Sequence, residues 1–212
     1  MSAVEPLFLR VLGEQAGLLD PELRAQLREG ARPGGADGVF DVAGSRLRLL
    51  SALARPFVGP GLIITRFQRD VPFSMQEIPE RTPTGEQSLV TRREFRFAGG
   101  SQRVVDRIVA TGRPGELRSA LGERGRIEVL MLCSVTPEGR LRMRSYRVLV
   151  RLGPARVPLA GSLGVRVDVE DGWDEALQCR TIDMRARSPL LGVVLEYRGR
   201  YRRTAAASRD FQ

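Results

Sequence analysis

The spacing of apolar residues changes once along this chain, near residue 61, and the change divides it into a helical start and an alternating body. Leu7, Phe8, Val11, Leu12 and Leu19 recur at steps of three and four behind Pro6, which is the spacing of one buried helical face. Asp20 then offers a side-chain cap and Pro21 fits the first helical position. Leu23 and Leu27 form the apolar side of a second helix that stops at Gly30. Segment 31–38, ARPGGADG, reads as a loop or turn. Leu47, Leu50 and Leu53 mark a third helix over residues 46–54, ended by Pro56.

Beyond residue 61 apolar and polar positions alternate, as they do in strands with one buried face. The strand candidates are 61–68, 71–78, 88–97, 101–110, 126–135, 140–150, 165–170 with a continuation at 177–187, and 193–203. Connectors such as Ala98-Gly99-Gly100 and Thr136-Pro137-Glu138-Gly139 are short enough for antiparallel hairpins. Segment 79–88 is polar and predicts a mobile loop, and 153–164 is too rich in Pro and Gly to extend a strand. Long strands joined in sequence either leave two exposed edges or curl and close. The expected fold is therefore α+β and mainly antiparallel β: a strongly curved sheet or β-barrel with two to three N-terminal helices. A single domain spans residues 1–212, with helical segment 1–58 packed on a barrel or curved sheet at 61–203.

A charged residue in the apolar phase of a strand must be paired or line a wet cavity. Arg93 falls in phase with Leu89, Phe95 and Phe97, and Glu77 with Val71, Phe73 and Met75. In 101–110 either Asp106, among Val104 and Ile108, or Arg107, among Val105 and Val109, points inward. Tyr197 and Tyr201 share the phase of Val193 and Leu195, and Tyr146 that of Val148 and Val150. Glu77, Arg93, Asp106, Tyr146, Tyr197 and Tyr201 are thus candidate ligand-binding residues in an apolar pocket with a few polar anchors. The competing reading is a buried structural Arg-Asp pair, with tyrosines closing the barrel ends.

Composition narrows the chemistry more than it identifies it. All 34 basic residues are arginine, and there is no lysine or histidine. This excludes an imidazole base, a Ser-His or Cys-His pair, a Schiff-base lysine, a His-ligated metal and a phosphate-loop lysine. No nucleotide or metal motif occurs, and no cofactor is expected. The net charge of +9 comes from arginines scattered along the chain with 25 acidic residues mixed among them, except for Arg198, Arg200, Arg202, Arg203 and Arg209, which cluster and read as a solvated strand edge and tail. Aromatics are few and not interleaved with the basic positions, which ranks a nucleic-acid partner low. Glu170, Asp171, Asp174 and Glu175 around Trp173 read as a solvated acidic loop. Cys133, in phase with Ile127, Val129 and Met131, reads as a buried core thiol; it and Cys179 follow no metal spacing and fit a reduced, cytoplasmic protein. No apolar run is long enough to span a bilayer as a helix.

Several C-terminal motifs carry a resemblance: Val157-Pro158-Leu159, Thr181-Ile182-Asp183, Pro189-Leu190-Leu191-Gly192-Val193-Val194 and Tyr197-Arg198-Gly199. With Arg93-Glu94-Phe95 and Leu12-Gly13, they make residues 7–201 resemble the bacterial family called domain of unknown function 4166. That family occurs alone or fused behind a saccharopine-dehydrogenase-like domain, which implies small-molecule metabolism. The resemblance also places a histidine at the position of Leu27 and a tryptophan at that of Thr91, so a changed role is implied here.

Three function classes remain. The first is a barrel that encloses a hydrophobic small molecule, such as a polyketide- or lipid-like intermediate of specialised metabolism, and promotes its cyclisation by holding a reactive conformer; isomerase or lyase chemistry without His, Lys or metal belongs to the same class. The second is a non-catalytic binding or carrier module beside an oxidoreductase. The third is an Arg-rich nucleic-acid binder.

Overall fold

The computed structural model describes residues 5–47, 64 and 66–204. Two short helices come first, α1 (Leu7–Leu12) and α2 (Pro21–Glu29), joined by a 3-10 turn at Gly13–Leu18. Asp20 caps α2 as its sequence position predicts: Oδ1 accepts from the backbone N–H of Glu22 at 2.9 Å and of Leu23 at 3.1 Å. The third predicted helix lies almost wholly outside the described residues, and Arg46 and Leu47, the two that are described, are not helical.

Eleven strands follow: β1 (Gly34–Gly44), β2 (Phe67–Arg81), β3 (Gln87–Phe97), β4 (Gly100–Ala110), β5 (Glu116–Leu121), β6 (Ile127–Val135), β7 (Leu141–Leu152), β8 (Ala155–Pro158), β9 (Arg166–Asp174), β10 (Cys179–Ser188) and β11 (Gly192–Thr204). All pairings are antiparallel. Neighbours run in chain order from β1 to β7, then β9, β10 and β11, which returns to β1. Ten strands thus close into a barrel, and β8 lies on the outer half of β7 beyond the point where β9 diverges. Closure leaves these ten strands without the free edges that a curved open sheet would expose.

The helices cap one end of the barrel. Their backbone is fastened there by Gly115 N–H donating to the Val11 carbonyl at 3.0 Å and Asp20 N–H to the Gly139 carbonyl at 2.9 Å, while Gln87 Nε2 donates to the Glu5 carbonyl at 2.7 Å. Leu7, Val11, Leu12, Leu19, Leu23 and Leu27 are buried in the same core as the strand residues, so the apolar stripe read from the sequence faces the barrel; Leu9, outside that stripe, is buried with them, and Phe8 only partly.

Several local readings are corrected. Segment 31–38 is not only a turn, because its glycines belong to β1. A Cβ on Gly38 would meet the Arg200 carbonyl, Tyr201 Cβ at 2.7 Å and Phe73 Cε1 at 2.8 Å. The glycine is there for close approach, and turn propensity misreads it. The predicted break at residues 69–70 is a bend within β2, where Asp70 takes φ 51° opposite the bulge at Asp41 of β1. The predicted loop at 79–88 shrinks to a turn over 82–86, closed by Thr82 N–H to the Glu86 carbonyl at 2.8 Å. Segments 116–121 and 155–158, without alternation strong enough to mark them, are strands held by pairing with their neighbours. β11 is flanked on both sides by β1 and β10, so Arg198, Arg200 and Arg202 are exposed on a barrel wall and do not mark an edge; Arg209 lies outside the described residues.

Candidate functional site in the barrel lumen

A ten-stranded barrel is wider than the eight-stranded size whose interior side chains just fill it. One side of this lumen is filled by rings. Phe40 of β1 stacks on Phe73 of β2 with centroids 3.9 Å apart, and Phe95 and Tyr197 lie 5.2 and 5.1 Å from Phe40. Phe97 and Tyr201 extend the cluster. Gly199 faces Phe40 across β1 and β11, and a Cβ there would meet Phe40 Cα at 2.5 Å and the Val39 carbonyl carbon at 3.0 Å, so its missing side chain lets the β1 backbone approach closely.

The other side is hollow. A cavity of about 450 Å³ is lined by aliphatic and thioether groups, among them Met75, Ile108, Val129, Met143, Val169 and Met184. Among the described residues, five charged side chains stand on its wall: Glu77, Arg93, Asp106, Asp171 and Arg180. The hydroxyls of Thr91, Ser119 and Tyr197 belong to residues of the same wall.

The charges are organised in pairs by strand register. Arg93 lies opposite Met75 and Val104, and Asp106 opposite Thr91, so Arg93 reaches diagonally across β3 and β4 to donate from Nη1 to Asp106 Oδ1 at 2.5 Å. Arg180 repeats this on β10: it lies opposite Trp173 and Tyr201 and reaches diagonally to Asp171, donating to both carboxylate oxygens. Tyr201 Oη donates to Asp171 Oδ2 at 3.0 Å, and the Arg180 guanidinium carbon sits 5.0 Å from the Tyr201 ring centroid. Glu77 accepts from Arg203 Nη1 at 2.9 Å. Arg203 passes over Gly34, where any Cβ would collide with its guanidinium.

Burial dominates the electrostatics. It raises the carboxyls of Asp106 and Asp171 above the usual range, against the pull of Arg93 and Arg180 respectively. Burial also opposes the charge on Arg93 and Arg180, but the facing carboxylates outweigh it and hold both guanidinium groups firmly protonated. The Tyr197 and Tyr201 hydroxyls are raised by burial in the same way. The carboxylate of Glu77 acts at longer range on both Arg-Asp pairs, which makes one polar network of them.

Of the six candidate residues, Glu77, Arg93, Asp106, Tyr197 and Tyr201 line the cavity, and Asp106 rather than Arg107 is the inward charge of its strand. Tyr146 does not. It is 48% exposed on the outer wall and donates to Glu116 Oε2 at 2.8 Å. The reason is a bulge: Leu130 faces Arg147 while Met131 faces Ser145, so Tyr146 is the extra residue and the strand's phase shifts beneath it. Sequence reasoning also missed Asp171 and Arg180. The acidic run around Trp173 reads as a solvated loop, but segment 170–174 is the end of β9, and Asp171 and Arg180 are 7% and 3% exposed. The alternation of Asp171 with Val169 and Val167 was the available signal. Cys133 is a buried free thiol pushed up to about 12 by burial, and Cys179 is also free and buried. Among the described residues no group of three or more Cys, Asp or Glu is placed to hold a metal ion, and no helix is long and apolar enough to cross a membrane.

Fold and interior together define a closed antiparallel β-barrel with a buried aromatic cluster and a partly hollow, internally charged lumen. The chain belongs to the family described as Domain of unknown function (DUF4166), which matches residues 19–201. No curated protein matches it in sequence. Of the two positions at which the resemblance implied different residues, Leu27 is buried in the helical cap and Thr91 is on the lumen wall, 2% exposed.

Proposed function

We propose that the barrel encloses a largely apolar small molecule, with Arg93, Asp106, Tyr197 and the Asp171, Arg180, Tyr201 group orienting its polar part. The observation that carries this reading is the pairing of a hollow of about 450 Å³ with fixed, buried polar groups in its lining, one Arg-Asp pair on β3 and β4 and the other on β9 and β10. That volume lies in the range of ordinary ligand pockets, and a few polar groups in an apolar lining are what give such pockets orientation. Catalysis extends the same reading. A conformer held against the aromatic side, with one developing charge met by a guanidinium or a phenol, would favour cyclisation without an imidazole or an amine. Binding is the first step to test.

Native mass spectrometry of the freshly purified protein reads any co-purified molecule directly. Nile red fluorescence reads an apolar site without knowledge of the natural ligand. Val129 is on the lumen wall and Val39 is 41% exposed on the outside. Val129→Trp is expected to abolish Nile red binding and Val39→Trp to leave it intact. Undiminished binding to a folded Val129→Trp protein would place the site elsewhere.

A further inference from the structure

Resting on the lumen-binding reading, we infer that the molecule held there is electrically neutral: an uncharged, hydroxyl- or carbonyl-bearing apolar compound, and not a fatty-acid-type anion or an amine. The inference comes from the way the wall charges are matched. Arg93 faces Asp106, Arg180 faces Asp171, and Glu77, the fifth wall charge, is met from behind by Arg203. Arg93 and Arg180 thus each face one carboxylate of the wall, Arg203 also meets the exposed Glu29 at 3.7 Å, and with Arg203 counted the described charges of the lumen wall cancel.

A ligand carboxylate needs a guanidinium whose donors are not already engaged by an internal acid. Here it would have to share its guanidinium with Asp106 or Asp171, each held by that arginine from the adjacent strand, and so bury a second anion beside a single cation. A ligand ammonium meets the converse obstacle, because Asp171 already takes donors from both Arg180 and Tyr201 and Glu77 is held by Arg203. A neutral hydroxyl or carbonyl needs no such exchange. It can bond to the hydroxyls of Tyr197, Thr91 or Ser119, or share a proton of an arginine that stays paired.

The matching also predicts how to break it. Asp106→Asn keeps the shape of the side chain, removes one negative charge, and leaves Arg93 as a buried cation without its facing counter-ion, with only Glu77 acting at longer range. An anionic ligand then becomes the better partner.

The test uses three probes of equal chain length, 1-dodecanol, dodecanoate and dodecylammonium, each competing with Nile red at pH 7.5. On the wild-type protein, dodecanol is expected to compete at least about tenfold more strongly than either ion, the usual scale for burying an unmatched charge. On Asp106→Asn, dodecanoate is expected to gain about tenfold and to overtake dodecanol. Asp171→Asn, which frees Arg180, serves as the second variant should the first lose its fold by circular dichroism. A wild-type preference for dodecanoate or dodecylammonium overturns the inference while leaving the lumen reading intact. The same holds if the Asn variants show no shift toward the anion. If no probe displaces Nile red while Val129→Trp still binds it, the lumen reading itself fails, and the inference falls with it.

Discussion

Removing one half of the Arg93–Asp106 pair should be far more damaging than removing both. The pair is withdrawn from solvent, with side chains 15% and 6% exposed, and replacing one partner by an apolar residue strands the other charge in the lumen wall. Asp106→Leu leaves a guanidinium, which cannot shed its proton, so the expected loss is about 3–5 kcal/mol. Arg93→Met leaves a carboxyl that burial already pushes upward and that can take a proton instead. Its loss should be smaller, about 1–3 kcal/mol. It should also grow with pH: a carboxyl whose folded pKa is raised contributes stability below its unfolded value, and that contribution is lost as pH rises through the raised value. The double variant Arg93→Met with Asp106→Leu has no stranded charge and should lie within about 1 kcal/mol of the wild type, for a coupling energy of about 3 kcal/mol or more. Urea denaturation followed by fluorescence of Trp173, the single tryptophan, measures all four proteins at pH 5 and pH 8. Additive losses below about 0.5 kcal/mol would refute the reasoning, because they would mean that both groups are solvated.

Gly38→Ala should destabilise by more than about 2 kcal/mol, because its Cβ would strike Tyr201 and Phe73, whereas Gly17→Ala, with open space around it, should change the melting temperature little. Equal effects of the two would mean that β1 is not packed against the rings. Tyr146→Phe should cost about 0.5–1.5 kcal/mol through its bond to Glu116 and leave Nile red affinity unchanged; Tyr197→Phe should weaken dodecanol binding instead. A loss of probe binding in Tyr146→Phe would contradict its outward placement. Burial raises the Cys133 and Cys179 thiols, so iodoacetamide at pH 8 should label both in urea and neither in the native protein; rapid native labelling read by mass spectrometry would show that the core opens.

How much of this was legible in the sequence depended on whether an element's signal was local. The phase of β3 was legible because Leu89, Phe95 and Phe97 outvote Arg93, so its inward charge could be named before its partner was seen. Asp20 and Pro21 announced α2 through cap chemistry alone. What escaped was set by neighbours distant in sequence. β1 is disguised by glycines that exist for Arg203, Tyr201 and Phe73, more than thirty residues away in each case. The bulge that turns Tyr146 outward is a property of the β6 and β7 pairing, and a period-two count cannot register an extra residue. Asp171 was masked by its acidic neighbours, and only pairing with Arg180 separates it from them.

The lumen charges bear on function through what they do not contribute to folding. Buried ion pairs are often matched or exceeded in stability by apolar residues of similar volume, so the pairing of Arg93 with Asp106 and of Arg180 with Asp171 is not explained by stability alone. The empty space beside them is not explained that way either, since a lining that lacks packing partners forfeits dispersion contacts. The same barrel shows that filling was possible, because Phe40, Phe73, Phe95 and Tyr197 close its other side with rings in contact. A chain that packs one half of its interior to completion, and leaves the other half hollow with rigid, charge-balanced polar groups, carries two departures from a stability optimum at one place. A ligand that fills the hollow and bonds to those groups would remove both at once, and this coincidence is the physical support for the proposed lumen site.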